Sequence, residues 1–284
     1  MKRIVLFRFH KNFTVCENRL RLLRRYNPGI EIFGLYGGAE RGFQRAQRQL
    51  SPHMDGLYCI SGKSEQWKWK NSDLAVRLWY TDCGSRITFD ILHVIEWDLL
   101  LFESLQKLCQ NIPGDGVGLT DLTELRYIEK TWAPWTVEEP HRTEWTRLQD
   151  YVRHEFNYNQ EPYAGSPCGA VLPRTFLEKY RDISVPELCH DELRLPLFSQ
   201  ILGFRLYDTG FYGEESFFSW DKEIPAAAIE VELLKPLGRR VFHPYCGVFS
   251  LDEKGNWRGD ASRRWVSERQ VRVLRRLIRV SPRP

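Results

Sequence analysis

ILHVIEWDLLLF, residues 91–102, is an apolar run broken by two acids that flank one tryptophan. Aliphatic residues at consecutive positions fit a strand buried on both faces, as in a parallel sheet covered by helices. A charge carried into such a core costs several kcal/mol unless it is paired or binds a metal. Glu96 and Asp98 therefore belong at the carboxyl end of the strand, facing a cleft or an ion, where open α/β sheets bind ligands.

The residues before this strand alternate between two periodicities. Residues 3–9 read as a strand, and 13–26 carry Val15, Leu20, Leu22 and Leu23 among arginines as a helix, which Asn27-Pro28-Gly29 ends. Residues 30–36, IEIFGLY, and 56–61, GLYCIS, are further strands. This succession predicts an α/β fold with a mostly parallel, Rossmann-like sheet flanked by helices. Gly37-Gly38 reads as a turn after the second strand and lacks the dinucleotide fingerprint. Asn71-Ser72-Asp73 offers N-cap chemistry for a helix over 71–79, and the spacing of Leu101, Leu105, Leu108 and Ile112 predicts a helix up to Pro113-Gly114.

Beyond residue 117 the texture changes. Residues 117–122 read as a strand, whereas 132–163 interleave Trp132, Trp135, Trp145, Tyr151, Phe156, Tyr158 and Tyr163 with charges and prolines. Aromatic rings stack on the apolar faces of sugars and bases, so this stretch is an expected acceptor surface, with half or more of its rings packing inward. Small residues over 163–170 lead into another strand, where a ligand can approach the backbone. Cys189-His190-Asp191-Glu192 heads a helix through Leu202, and its two acids suit the helix dipole as well as they suit general-base chemistry. Residues 204–207 read as a short strand, 226–234 as helical or extended, and His243 precedes a proline.

Composition bounds the class. A chain of 284 residues with 42% hydrophobic and 13% aromatic residues can fill a sizeable core. No apolar run approaches the roughly 20 residues of a spanning helix, and MKRIVLFRFHK lacks a signal peptide's apolar region and cleavage site. Seven cysteines without C-x-x-C spacing suit reduced thiols, so no disulfide and a cytoplasmic location are expected. Residues 263–284 hold eight arginines against Glu268, a net +7 that leaves about −3 for the rest of a chain whose total is +4. At about 100° per residue, Arg269, Arg272, Arg275, Arg276 and Arg279 share one arc opposite an apolar face. This is a basic amphipathic helix, expected to pack on the body or to touch anionic membrane peripherally through 263–280 at the inner face.

The order of these features resembles the GT-A glycosyltransferases: an N-terminal α/β half, acid-x-acid at a strand end, a small-residue segment near 165, an acidic pair eleven residues before Gly203, and a late His-Pro. The resemblance covers residues 1 to about 250 through short motifs. It implies one GT-A-like catalytic domain over 1–262, with a nucleotide-sugar half (1–112) and an acceptor half (113–262), followed by the 263–284 tail. Glu96-Trp97-Asp98 then stands for the family's D-x-D motif, with Glu in place of the first Asp, and Asp73 joins it on the nucleotide sugar. Asp98, Glu96 and His243 are implied as ligands of Mn²⁺ or Mg²⁺. Glu192 matches the catalytic base and Asp191 its neighbour, although this chain has D-E where the family has E-D. The implied activity is inverting transfer of a sugar from a nucleotide-diphosphate sugar to a hydroxyl on a saccharide or other acceptor, with no nucleic-acid partner. A sugar-phosphate nucleotidyltransferase is the alternative enzyme, although the loop after the first strand, His10 to Phe13, has no glycine. A non-enzymatic scaffold that binds membrane or nucleic acid through its basic tail is the third reading.

Overall fold

The computed structural model describes residues 1–129, 134–213, 216–220 and 222–260. Its strands are β1 (Arg3–Phe9), β2 (Glu31–Tyr36), β3 (Gly56–Cys59), β4 (Ile91–Glu96), β5 (Leu100–Leu101) and β6 (Val117–Glu124), followed by β7 (Tyr163–Pro173), β8 (Leu206–Asp208), β9 (Phe217–Phe218), β10 (Val241–His243), β11 (Phe249–Leu251) and β12 (Trp257–Gly259). Seven of them form one sheet in the order β3-β2-β1-β4-β7-β6-β8. All neighbours are parallel except β7, which runs antiparallel to both β4 and β6. The fold is mixed α/β, mostly parallel and flanked by helices.

Side-chain alternation along the strands divides the core in two. From β1 and β4, Ile4, Leu6, Leu92 and Val94 enter one face, covered by the helices Ser72–Asp82, His141–Phe156, Arg174–Asp182 and Asp191–Ile201. Val5, Phe7, Phe9, Ile91 and Ile95 enter the other, covered by Phe13–Tyr26 and Phe43–Leu50. A period of two on a strand with both faces covered produces the unbroken apolar runs seen in the sequence. A third cluster around Phe102, Phe242, Tyr245 and Phe249 packs β5, β10 and β9 with the β11-β12 ribbon against the body.

The sheet runs across residue 112 without a break, since β6, β7 and β8 extend the sheet begun by β1 to β4. The helix expected over 101–112 is replaced by β5, which pairs antiparallel with β10, and the short helix Leu105–Leu108. Leu100 and Leu101 belong to a strand because β10 offers them backbone partners, a long-range demand that local spacing does not carry. The strand expected over 204–207 begins later, at Leu206, where it pairs with Val117. Ala226–Leu233 is helical, and all seven cysteines are free thiols. Trp132 and the tail 263–284, with its expected amphipathic helix, lie outside the described residues. Among the described residues no helix is long and apolar enough to cross a membrane.

Candidate active site

The chain leaves β1 towards β2 and β3 on one side, then returns to place β4 on the other side of β1. Strand order therefore reverses between β1 and β4, and the crevice outside their carboxyl ends is where such sheets bind ligands. Arg8 and Glu96 are register partners across this point, and Arg8 Nη1 meets Glu96 Oε1 at 2.5 Å. A cleft of about 670 Å³ opens there. It is lined from β1 and its following loop (Arg8, His10, Lys11), from the end of β4 (Glu96, Trp97, Asp98), from β7 (Ser166, Pro167, Cys168), from the helix head at His190 to Glu192, and from His243. Because β7 is antiparallel, its first residues lie at the same edge as the last residues of β4. The small residues of β7 keep this approach narrow: Gly169 has φ 81°, and a Cβ there would meet the Phe211 ring at 2.7 Å.

Glu96 and Asp98 take different roles. Glu96 ends β4 and is held by Arg8, while burial pushes its carboxyl up to about 7 against the pull of that guanidinium. This ion pair commits Oε1 of Glu96, expected as a metal ligand, to the Arg8 guanidinium. Asp98 lies in the following turn, with Oδ1 3.7 Å from His243 Nε2. His243 Nδ1 is 3.0 Å from the Ser219 carbonyl oxygen, which can only accept, so Nδ1 carries the proton. Burial lowers the His243 pKa, which leaves Nε2 a bare lone pair facing the carboxylate. An imidazole that donates its other N–H to a backbone carbonyl while presenting Nε2 beside a carboxylate has the orientation of a metal-ligating histidine. The carboxylate suits Mn²⁺ or Mg²⁺, whereas the imidazole suits a transition metal better than Mg²⁺. Among the described residues no group of three or more His, Cys, Asp or Glu is arranged to hold a metal.

The second acidic pair shows the same division. Asp191 accepts hydrogen bonds from the Ser72 backbone N–H (2.9 Å) and from the Ser72 hydroxyl, which places its anion at the N-terminus of the helix Ser72–Asp82. His190 Nδ1 is 2.8 Å from Asp191 Oδ1, an ion-pair contact, and 3.7 Å from Glu192 Oε2. Burial opposes the charge on Asp191, but His190 and Ser72 outweigh it and lower the pKa; Asp191 and Glu192 raise that of His190 against its burial. Glu192 is the reverse. Burial pushes its carboxyl up to about 7, against stabilisation by His190 and a hydrogen bond from the Trp135 side chain.

Asp73, expected at the nucleotide sugar, is elsewhere. Arg194 grips both of its oxygens (2.5 and 2.7 Å) and Tyr180 donates to one at 2.6 Å, with both charged side chains fully buried. Removing one partner of such a pair strands the other in the core, so this site holds the helices together. Trp97 lines the cleft but is only 4% exposed, with Lys11 5.3 Å over its ring and His10 set edge-on at 5.5 Å. Gly38 approaches the same loop: a Cβ on it would stand 2.6 Å from the His10 carbonyl oxygen. Of the expected aromatic surface, Trp145 and Tyr158 are buried, Tyr151 and Phe156 pack on the core, and Trp135 reaches the cleft.

Arg8, His10, Lys11, Trp69 and His190 were not expected at the site. A basic cluster at the end of a first strand was a legible signal for the first three. For Trp69, on the short helix Glu65–Lys70, no local pattern distinguishes it from Trp67 two residues before.

No protein-family model matches the chain, and no curated protein sequence matches it. Among solved structures it is similar to the bifunctional glycosyltransferase WbbM in its apo form, at 12% identity and TM-score 0.39, over 76% of this chain and 40% of that one. It is similar also to the galactosyltransferase LgtC in complex with donor and acceptor sugar analogues, at 15% identity and TM-score 0.44, over 98% and 97% of the two chains. A third is S. aureus TarS, at 13% identity and TM-score 0.41, over 73% of this chain and 35% of that one. The chain thus spans less than half of WbbM and TarS.

Proposed function

We propose that the cleft transfers a sugar from a nucleotide-diphosphate sugar to an acceptor hydroxyl, with inversion at the anomeric carbon. The observation that carries this reading is the meeting, in one crevice at the strand-order reversal, of the Asp98–His243 pair and Glu192. Asp98 and His243 would hold Mn²⁺ or Mg²⁺. The cation, when bound, neutralises charge that develops on the departing diphosphate. Lys11, at the loop after β1, adds a further positive charge on the same side of the crevice. Glu192 takes the proton of the acceptor hydroxyl as its oxygen attacks the anomeric carbon and the bond to the diphosphate breaks. A carboxyl held near 7 suits that task, because it is ionised for part of the neutral range yet basic enough to accept. His190 and Asp191 act on the charge of Glu192, the first stabilising its anion and the second opposing it.

The test is incubation with UDP-, GDP-, TDP- and CMP-sugars plus Mn²⁺, with and without a broad acceptor panel. One donor should be slowly hydrolysed alone and consumed faster with an acceptor, and full activity after chelation would end the metal assignment. Peripheral attachment to anionic membrane through 263–280 belongs to the same proposal. Equal co-sedimentation of the full chain and residues 1–262 with anionic vesicles would remove it.

A further inference from the structure

We infer that Trp69, Trp135 and His190 form the acceptor subsite of this cleft, built for an uncharged pyranose. The inference deepens the reading of Glu192 as the base and rests on it.

The three rings make one continuous wall. Trp135 stacks on His190 at 4.5 Å with 20° between planes, and Trp69 closes on both, 4.9 Å from His190 and 6.0 Å from Trp135. All three line the crevice. Trp135 also hydrogen-bonds the Glu192 carboxylate, so a molecule whose hydroxyl reaches Glu192 lays its body against these indoles. Trp69 is 59% exposed, far more than its neighbours in this wall. It is an apolar face left in water beside a buried proton acceptor.

The chemistry selects the ligand. A body that must offer hydroxyls to a carboxylate and C–H groups to an indole is amphipathic on opposite faces, which describes a pyranose ring. The charges around the wall argue against an anionic acceptor. Of the described cations next to it in sequence, Lys70 Nζ is paired with Glu144 at 2.6 Å and Lys63 Nζ with Glu187 at 2.8 Å, where Glu187 also accepts from Trp67, while Lys68 Nζ donates to the Gly38 carbonyl oxygen at 3.0 Å. Glu144 in turn accepts from the Cys189 backbone N–H, which keeps Lys70 and its partner tied to the helix head. A negatively charged ring laid on these indoles would face the Glu192 and Asp191 carboxylates, a repulsive arrangement.

The experiment separates this inference from the function on which it rests. Full-length protein is applied to an array of neutral and acidic oligosaccharides without donor, and bound members are titrated by calorimetry. The expected result is binding confined to neutral members, weakened about tenfold by Trp69→Ala and largely restored by Trp69→Phe, since loss of one stacked ring is worth about that much. In turnover with a neutral acceptor, Trp69→Ala raises acceptor KM about tenfold, a larger change than any in kcat. Binding of acidic members only, absence of any bound neutral member, or neutral binding indifferent to Trp69→Ala overturns the subsite. Donor hydrolysis that survives any of these outcomes leaves the proposed transfer standing, whereas neutral-sugar binding without donor hydrolysis removes the transfer and keeps the subsite.

Discussion

The end of β4 and the head of the helix Asp191–Ile201 present two acids each to one crevice, and in both places one acid is tied while the other is open. At β4 the tied acid is Glu96, matched by a whole cation on the neighbouring strand. At the helix head it is Asp191, held by an amide, a hydroxyl and an imidazole. The open acids differ in consequence. Asp98 faces the lone pair of His243, a setting that favours a cation, whereas Glu192 is enclosed by indole and imidazole, a setting that favours a proton. Adjacent acids in a sequence are therefore not a pair in function. Each is assigned by what the rest of the fold brings to it.

The largest expected effect tests the cation side. Asp98→Ala removes a hard oxygen ligand and should lower kcat by at least about a thousandfold, since a bound divalent cation supplies several kcal/mol of charge stabilisation. Steady-state rates across a Mn²⁺ titration check this, and a variant that keeps wild-type rates would break the contrast between the two regions.

Glu192→Gln comes next, lowering kcat by at least about a hundredfold with donor binding close to normal. Wild-type kcat should rise with pH through about 7, as the Glu192 carboxyl ionises, and the residual rate of the variant should be flat there. If Glu192→Gln turns over like wild type while Asp191→Asn is dead, the two roles are exchanged.

Asp191→Asn acts mainly on stability, costing about 1–3 kcal/mol by leaving buried partners poorly matched, with a smaller loss in kcat. The two neighbours have opposite linkage. The folded pKa of Asp191 is lowered from 3.8, so its stabilisation is present above that value and is lost as pH falls through the folded pKa. That of Glu192 is raised from 4.5 to about 7, so its contribution is present below 4.5 and is lost as pH rises to about 7. Denaturant titrations should show the Asp191→Asn gap to wild type shrinking as pH falls below 3.8, and the Glu192→Gln gap changing instead between pH 4.5 and about 7.

Glu96→Gln should have the smallest effect, within about tenfold in kcat, because it leaves a hydrogen-bond acceptor for Arg8 and does not touch the Asp98–His243 pair. A loss as large as that of Asp98→Ala, measured at saturating Mn²⁺, would return Glu96 to the metal site and erase the difference between tied and open acids.

What the sequence determined by itself was what depends on near neighbours. The helix Phe13–Tyr26 and the strands β1, β2, β3 and β4 were legible because apolar period and turn residues repeat within a few positions. The placement of Glu96 and Asp98 at a strand end, and of Asp191 and Glu192 at a helix start, followed from the cost of burying charge and from the helix dipole. The tertiary structure decided every partner. Arg8 meets Glu96 because β1 and β4 are register neighbours 88 residues apart, and Asp73 is removed from the crevice by Arg194, 121 residues away. Leu100 and Leu101 extend as β5 because β10 pairs with them. Trp69 and His190, 121 positions apart, become one wall only when the helices bearing them pack on the same face of the sheet. Periodicity reports which side of an element is buried. It carries no information about which distant side chain will occupy the space across from it, and that choice is made by strand order and register.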